Sequence, residues 1–382
     1  MEEWKEYKYI DLATIIGGGT PKTSVPEYWN GEIPWLSVKD FVSVAKYVYS
    51  SEKHISELGL LNSSTKLLEK NDIIISARGT VGAVAMIPCP MCFNQSCFGL
   101  RGNGIVDKNF LYYLTRTKID ELKQSAHGSV FDTITKETFD NLLCLVPPLQ
   151  LQQKIGKFLS SLDSKIEINQ RINDNLEQQA QVLFNHYFVD TPEILGDCTV
   201  GNLTDIASYL NGLAMQKYRP TANDTGIPVL KIKELGQGKV DEHSDQCSEN
   251  IDSQYKVDNG DVIFSWSGTL MVKIWCGGEC GLNQHLFKVT SEKYPKWFYY
   301  FWTLHHLKKF IHIAQDKAVT MGHIKRSELE KSEVLIPSNK KLIEIDKIIS
   351  PLLAKIIALQ TECRNLTALR DTLLPKLMSG EV

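Results

Sequence analysis

Asp72-Ile73-Ile74-Ile75-Ser76-Ala77-Arg78-Gly79-Thr80 is answered further along the chain by Asp261-Val262-Ile263-Phe264-Ser265-Trp266-Ser267-Gly268-Thr269, 189 positions later. Each run opens on an acid, passes through apolar residues and closes on Gly-Thr. This is how a β-strand running into a glycine turn reads. The same 189-residue step carries Asn94-Gln95 through Phe98 onto Asn283-Gln284 through Phe287. Ile33-Pro34-Trp35-Leu36-Ser37-Val38-Lys39-Asp40 resembles Ile227-Pro228-Val229-Leu230-Lys231-Ile232-Lys233-Glu234, and Leu145-Val146-Pro147 returns as Leu335-Ile336-Pro337. Spaced matches at nearly one offset identify an internal duplication.

Each copy reads as a globular part followed by a helix. β-like runs (72–76, 142–146, 262–265, 334–336) lie between Gly, Asn and Pro turns, with helical stretches at 108–116 and 295–310. The chain divides into a globular domain at 1–147, a long helix at 148–190, a second globular domain at 191–337 and a C-terminal helix at 338–382. The fold class is α+β, with two duplicated mixed α/β domains and two long helices.

The helices carry apolar residues at alternating steps of three and four. In the first, Ile155, Phe158, Leu162, Lys165, Asn169, Ile172, Leu176, Gln179 and Leu183 form the stripe. In the second, Ile345, Ile348, Leu352, Lys355, Leu359, Glu362, Leu366, Leu369 and Leu373 do. A sustained stripe of this kind asks for a partner helix. The economical partner is the other copy, giving an antiparallel coiled coil about a pseudo-twofold axis, a rod of roughly 50 Å for about 35 residues. The alternative is two unrelated amphipathic helices, each packed on its own domain. Asn169 on the seam is suited to fixing register. Pro351, where the first copy has Ser161, is expected to start or kink the second helix.

A chain of 382 residues with 43% apolar content can build two or three cored domains. No run approaches the roughly 18 apolar residues of a membrane span, and Met1–Tyr9 has no signal-like apolar core, so a cytoplasmic location is expected. Nine scattered cysteines favour reduced thiols over a disulfide framework. Cys89, Cys92 and Cys97, or Cys276 and Cys280 near His285, lack the second ligand pair of a zinc site. The net charge of −3 speaks against a DNA binder that works alone, but less against one that shares DNA with partners.

No catalytic set assembles. Gly17-Gly18-Gly19-Thr20-Pro21-Lys22-Thr23 lacks the phosphate-loop spacing, and Gly99, Gly102 and Gly104 are too irregular for a dinucleotide fingerprint. Val146-Pro147-Pro148-Leu149 lacks the preceding Asn or Asp of an adenine methyltransferase. His127, His186 and His323 have no nucleophile motif, so neither cofactor nor metal is expected. Groups suited to reading DNA recur instead, since Asn and Gln match adenine edges and Arg and Lys match guanine. The candidates are Thr20 and Lys22, Lys39, Arg78-Gly79-Thr80, Asn94-Gln95, Gln216-Lys217-Tyr218-Arg219, Lys231 and Lys233, Gly268-Thr269, and Asn283-Gln284. The Lys residues can meet phosphate, base or only solvent. The repeated Asn can equally serve a turn.

Taken together the chain resembles the specificity subunit of type I restriction-modification systems. The resemblance rests on Gly18-Gly19-Thr20-Pro21 with Tyr28-Trp29, Ile33-Pro34-Trp35, Arg78-Gly79-Thr80-Val81-Gly82, Asn94-Gln95 and Val146-Pro147-Pro148-Leu149-Gln150. It continues through Ile155–Ile166 to Leu373-Leu374-Pro375-Lys376-Leu377-Met378-Ser379-Gly380. It implies that 1–147 and 191–337 are target recognition domains, each reading half of a bipartite site in double-stranded DNA, with the helices as the ruler between half-sites. It also implies two modification (methyltransferase) subunits and ATP-dependent restriction subunits as partners, with all catalysis in those partners. The second copy departs from the first at Ser267 for Arg78 and at Leu270-Met271 for Val81-Gly82, as two domains reading different sequences would. A methyltransferase or nuclease with a built-in recognition domain, and a coiled-coil scaffold that does not touch DNA, are the other readings.

Overall fold

Nine strands of the first copy recur as strands of the second in the same pairing order. A computed structural model describes residues 4–42, 46–126, 133–222, 224–316 and 323–381. Its contacts divide into two compact units, Met1–Glu167 with Leu366–Val382, and Ile168–Asn365. Each unit therefore takes part of both long helices.

In the first unit, strands β1 (Lys5–Lys8), β2 (Ala13–Gly17), β3 (Trp29–Leu36), β4 (Lys53–Ile55) and β5 (Ile73–Ser76) are followed by β6 (Val84–Met86), β7 (Cys92–Phe93), β8 (Cys97–Gly102) and β9 (Leu143–Val146). They form a four-stranded sheet β2-β8-β5-β6, a three-stranded sheet β4-β3-β7 and the pair β1-β9. The second unit has β10 (Cys198–Asn202), β11 (Ser208–Asn211), β12 (Gly226–Leu230), β13 (Gln246–Ser248) and β14 (Lys256–Val257). It continues with β15 (Val262–Ser265), β16 (Met271–Ile274), β17 (Cys280–Leu282), β18 (Leu286–Thr290) and β19 (Glu333–Pro337). Its sheets run β11-β18-β15-β16, β13-β12-β17-β14 and β10-β19, the same order with β14 added.

The duplicated run explains why the four-stranded sheet of each unit is covered on both faces. Every residue of β5 and β15 is buried, because alternate side chains serve opposite faces. Ile73 and Ile75 enter the core beneath helix α1 (Lys108–Thr117), while Ile74 joins the cluster holding Leu36, Phe41 and Phe93. Val262 and Phe264 face helix α3 (Lys296–Asp316), and Ile263 joins Leu230, Leu235 and Leu282. Asp107 caps α1, accepting from the backbone N–H groups of Asn109 and Phe110 at 3.0 Å. Among the polar contacts copied between the units is a buried Tyr–Thr pair. The buried Tyr9 hydroxyl meets Thr115 at 2.5 Å, and Tyr209 meets Thr303 at 2.7 Å.

The long helices are α2 (Leu149–Asn185) and α4 (Asn339–Ser379). They pack antiparallel. In the first unit Ile155 and Leu159 share a core with Leu374 and Met378, and Arg370 Nη1 donates to Asp163 Oδ1 at 2.6 Å. In the second, Asn169 Nδ2 donates to Glu362 Oε2 at 2.9 Å, and Gln360 Nε2 to Glu177 Oε1 at 3.1 Å. Pro351 neither starts nor ends α4, which is already helical from Asn339 and runs through it. Its ring lies on the exposed face, where only the bond its missing N–H would have made is lost.

The apolar stripe is corrected at several positions. Ile155, Asn169, Ile345 and Leu359 are buried, and Leu162, Leu176, Leu183, Leu352, Leu366 and Leu373 are partly so. Phe158, Ile172, Ile348 and Leu369 are 44%, 41%, 45% and 45% exposed. Lys165, Gln179 and Lys355 also point outward. The buried face includes Gln152, Asp163, Asn173 and Arg370 instead, so part of the seam is polar and invisible to a count of apolar residues.

Candidate nucleic-acid interface

Two turns in each unit are built alike. β5 ends at Ser76, whose hydroxyl reaches back to the Thr80 carbonyl, and β15 ends at Ser265, whose hydroxyl donates to the Thr269 carbonyl at 2.8 Å. Gly79 and Gly268 have φ of 76° and 63°, the left-handed region that an L side chain adopts only with strain. The sequence Ser-x-x-Gly-Thr thus folds its tip by a hydroxyl latch and a glycine. Arg78, Gly79 and Thr80, like Gly268 and Thr269, are exposed, whereas Ser267 is buried.

The second turn follows β7 and β17. Asn94 Oδ1 accepts from the Ser96 N–H at 3.1 Å, and Asn283 Oδ1 from the His285 N–H at 3.3 Å. Both Asn side chains are thereby engaged in shaping the chain, which leaves Gln95 and Gln284 at the tips. Each turn lies on a glycine of the preceding strand end. A Cβ on Gly18 would sit 2.6 Å from Phe93 Cδ2 and 2.7 Å from Asn94 C, and one on Gly212 would sit 2.6 Å from Asn283 C. In the first unit the Ala77 N–H donates to the Ser96 carbonyl at 2.8 Å, tying both turns into one surface. Thr20 Oγ1 donates to Gln95 Oε1 across it.

Two residues that sequence reasoning passed over lie on this surface in the second unit. Trp266 stands where the first copy has Ala77. Its Nε1 donates to Asn211 Oδ1 at 3.0 Å, and its ring lies 6.1 Å from His285 and 6.2 Å from His323. The signal was available, because Trp266 interrupts the duplicated run itself and His285 follows Asn283-Gln284 directly.

The remaining candidates fall elsewhere. Lys39 pairs with Glu52, Lys231 with Asp245, and Lys233 approaches Asp241 at 3.7 Å. These exposed pairs are weak, so a phosphate can displace the carboxylate. The Lys231 ammonium holds the Asp245 carboxyl below its usual range. Lys22 is exposed, and its carbonyl accepts from Trp29 Nε1 at 3.2 Å. Gln216, Lys217, Tyr218 and Arg219 are all exposed around a short 3₁₀ turn. His186 is exposed, and His127 lies outside the described residues. Burial pushes the Cys92 thiol up to about 11, and Cys97 and Cys280 to about 12, so these thiols stay protonated at neutral pH. Among the described residues no group of His, Cys, Asp or Glu is placed to hold a metal, and no helix is long and apolar enough to cross a membrane.

Residues 1–178 and 196–367 match the family model described as type I restriction modification DNA specificity domain. The chain is 29% identical to the type I restriction enzyme MjaIX specificity subunit of Methanocaldococcus jannaschii, covering all of this chain and 94% of that protein. It is 30% identical to the EcoR124I/EcoR124II specificity subunit of Escherichia coli over 48% of this chain and 46% of that one. The S subunit structure from M. genitalium shares the fold, with a TM-score of 0.60 at 16% identity over 99% of this chain and 96% of that chain. Specificity subunits are the non-catalytic components of such systems. With matched segments spanning both copies of the repeat, the chain belongs to the DNA specificity subunits of type I restriction-modification systems.

Proposed function

We propose that the chain reads a bipartite site in double-stranded DNA, one half-site per globular domain, with the domains at 1–147 and 191–337 and the helices at 148–190 and 338–382 as spacers. The observation that carries this reading is the pair of equivalent turn surfaces with different side chains. Arg78 and Gln95 stand on one, and Trp266, Gln284 and His285 on the other. A common backbone with divergent tips is what two readers of different sequences need, since base edges are discriminated by side chains and phosphates are not. Thr20, Thr80 and Thr269 lie on these turns as base or phosphate contacts. Lys22 and Gln216–Arg219, exposed apart from them, add base or phosphate contacts, and Lys39, Lys231 and Lys233 phosphate contacts.

Phe158 and Ile348 occupy equivalent positions of the two helices and expose similar fractions of their apolar surface. This supports a scaffold role with two like docking points, one for each of two modification (methyltransferase) subunits. The ATP-dependent restriction subunits, the translocase and nuclease, join that assembly, which works in the cytoplasm. Catalysis and its cofactors belong to those partners. The test is DNA binding by the reconstituted modification complex carrying Arg78→Ala. Loss of one bidentate base contact costs about 1–3 kcal/mol and relaxes preference in one half-site only. A uniform loss on all DNA, or none, contradicts the assignment.

A further inference from the structure

The two helix seams differ at several positions, and at one set of them the difference is complementary. Alignment of the copies places Asp163 opposite Leu353, Arg370 opposite Ala180, and Tyr113 opposite Phe301. In the first unit Asp163 and Arg370 are 2% and 8% exposed. Arg370 Nη1 donates to Asp163 Oδ1 at 2.6 Å, the Tyr113 hydroxyl donates to Asp163 Oδ2, and Arg370 Nη2 reaches Asp371 at 2.8 Å. In the second unit Leu353, Ala180 and Phe301 are members of one buried apolar core. The same positions are thus satisfied by an ion pair with its hydroxyl donor in one unit and by packing in the other.

A duplicated chain has a competing assembly. Because the copies share an apolar stripe, α2 can meet the α2 of a second molecule, and α4 a second α4. In the α2–α2 arrangement Asp163 faces Ala180, and in the α4–α4 arrangement Arg370 faces Leu353. Each leaves a buried charge without its counter-ion, a strongly destabilising defect, whereas the α2–α4 pairing satisfies both. A polar group at one seam position is a known way to choose among helix partners of similar apolar strength.

We propose that Tyr113, Asp163 and Arg370 form a pairing code that makes α2 accept α4 and reject the α2 of a second copy of this chain. The pairing preference follows from helix packing alone. Its consequence rests on the DNA-reading proposal, since only α2–α4 pairing keeps two different recognition surfaces in one molecule.

The test uses full-length chains carrying two different affinity tags. Asp163→Arg and Arg370→Asp each place like charges at the buried position and are expected to fail alone, as lowered unfolding midpoints and aggregation. Combined in one chain, D163R/R370D restores a single folded species. Co-expressed as separate chains, the two single variants meet with complementary charges only between molecules, so they co-purify in equal amounts while differently tagged wild-type chains do not. Conversion to the second-unit residues, Tyr113→Phe with Asp163→Leu and Arg370→Ala, keeps the fold. It raises self-association at least about tenfold, or ~1.4 kcal/mol. The proposal is overturned if that triple variant folds and excludes itself as the wild type does. If the triple variant does not fold, the charge-reversed chains decide, and their failure to associate when co-expressed overturns it.

Discussion

One methyl group at Gly18 is expected to disturb one recognition surface and leave the other untouched. Gly18 follows β2 directly under the Asn94 turn, where a Cβ would lie 2.6 Å from Phe93 Cδ2 and 2.7 Å from Asn94 C. Ordinary contact is near 3.5–4 Å, so the turn must move by about 1 Å. That turn is pinned by the Asn94 N–H on the Leu36 carbonyl at 2.9 Å and by the Gly19 N–H on the Phe93 carbonyl at 3.0 Å. Overpacking against held backbone costs about 1–3 kcal/mol. Gly17, one residue earlier, has nothing within 4 Å of its Cβ position, and Gly17→Ala should be neutral or gain about 0.4–1 kcal/mol through the unfolded state. The assay is urea unfolding of both variants, followed by DNA binding of the modification complex on sites altered in either half. Gly18→Ala should lower stability and weaken discrimination at one half-site. Gly212→Ala, 2.6 Å from Asn283 C, should do so at the other. If Gly18→Ala is as benign as Gly17→Ala in both assays, the turn is not held as described.

Three further outcomes follow from the packing. Tyr9→Phe and Tyr209→Phe each remove one buried hydroxyl contact while Thr115 and Thr303 keep their bonds to Leu111 and Tyr299 carbonyls. Each should therefore cost about 1 kcal/mol, equal within error, in denaturant unfolding. Phe158→Asp or Ile348→Asp should leave the chain folded and lower the melting temperature by about 2–4 °C at most, because both side chains are half-exposed. Each should halve the modification subunits bound per chain by mass measurement, and full loading would refute the docking role. Lys46 is buried, donating to Ser160 Oγ at 2.6 Å and Asn109 Oδ1 at 3.0 Å, and burial pushes its pKa down to about 8. Its ammonium loses its proton in the fold before it does in the unfolded chain. The wild type should therefore gain stability over Lys46→Met as pH rises from 8 to 10.5, by about 1.4 kcal/mol per unit at most. A flat difference across that range would contradict the burial of the charge.

The duplication is legible because it needs only identity at a fixed offset. β5 and β15 could be placed from their continuous apolar runs, which later proved to serve two cores each. The helix faces were harder. α2 and α4 carry apolar residues both inside and outside, and the buried face includes Asp163, Asn169, Asn173 and Arg370. A reading of period alone therefore slipped by one residue at Phe158, Ile172, Ile348 and Leu369. Pro351 does not start α4, since a proline on the exposed side of a long, well-packed helix removes one bond and need not interrupt it. On the turn surfaces, the repeated Asn-Gln pairs are ambiguous in sequence between turn and base contact. The hydrogen bonds give Asn94 and Asn283 a turn-building part and place Gln95 and Gln284 at the tips. Trp266 and His285 escape a search for recurrence because they stand where the two copies diverge.

The most direct test of two half-site readers on one chain is a methylome. Cells carrying this gene with its modification partner are compared with cells carrying the Arg78→Ala gene and with cells lacking it. The account predicts a methyl-adenine motif of two short blocks around an unspecified gap, with only one block relaxed by Arg78→Ala. A single uninterrupted motif, or relaxation of both blocks together, would contradict it.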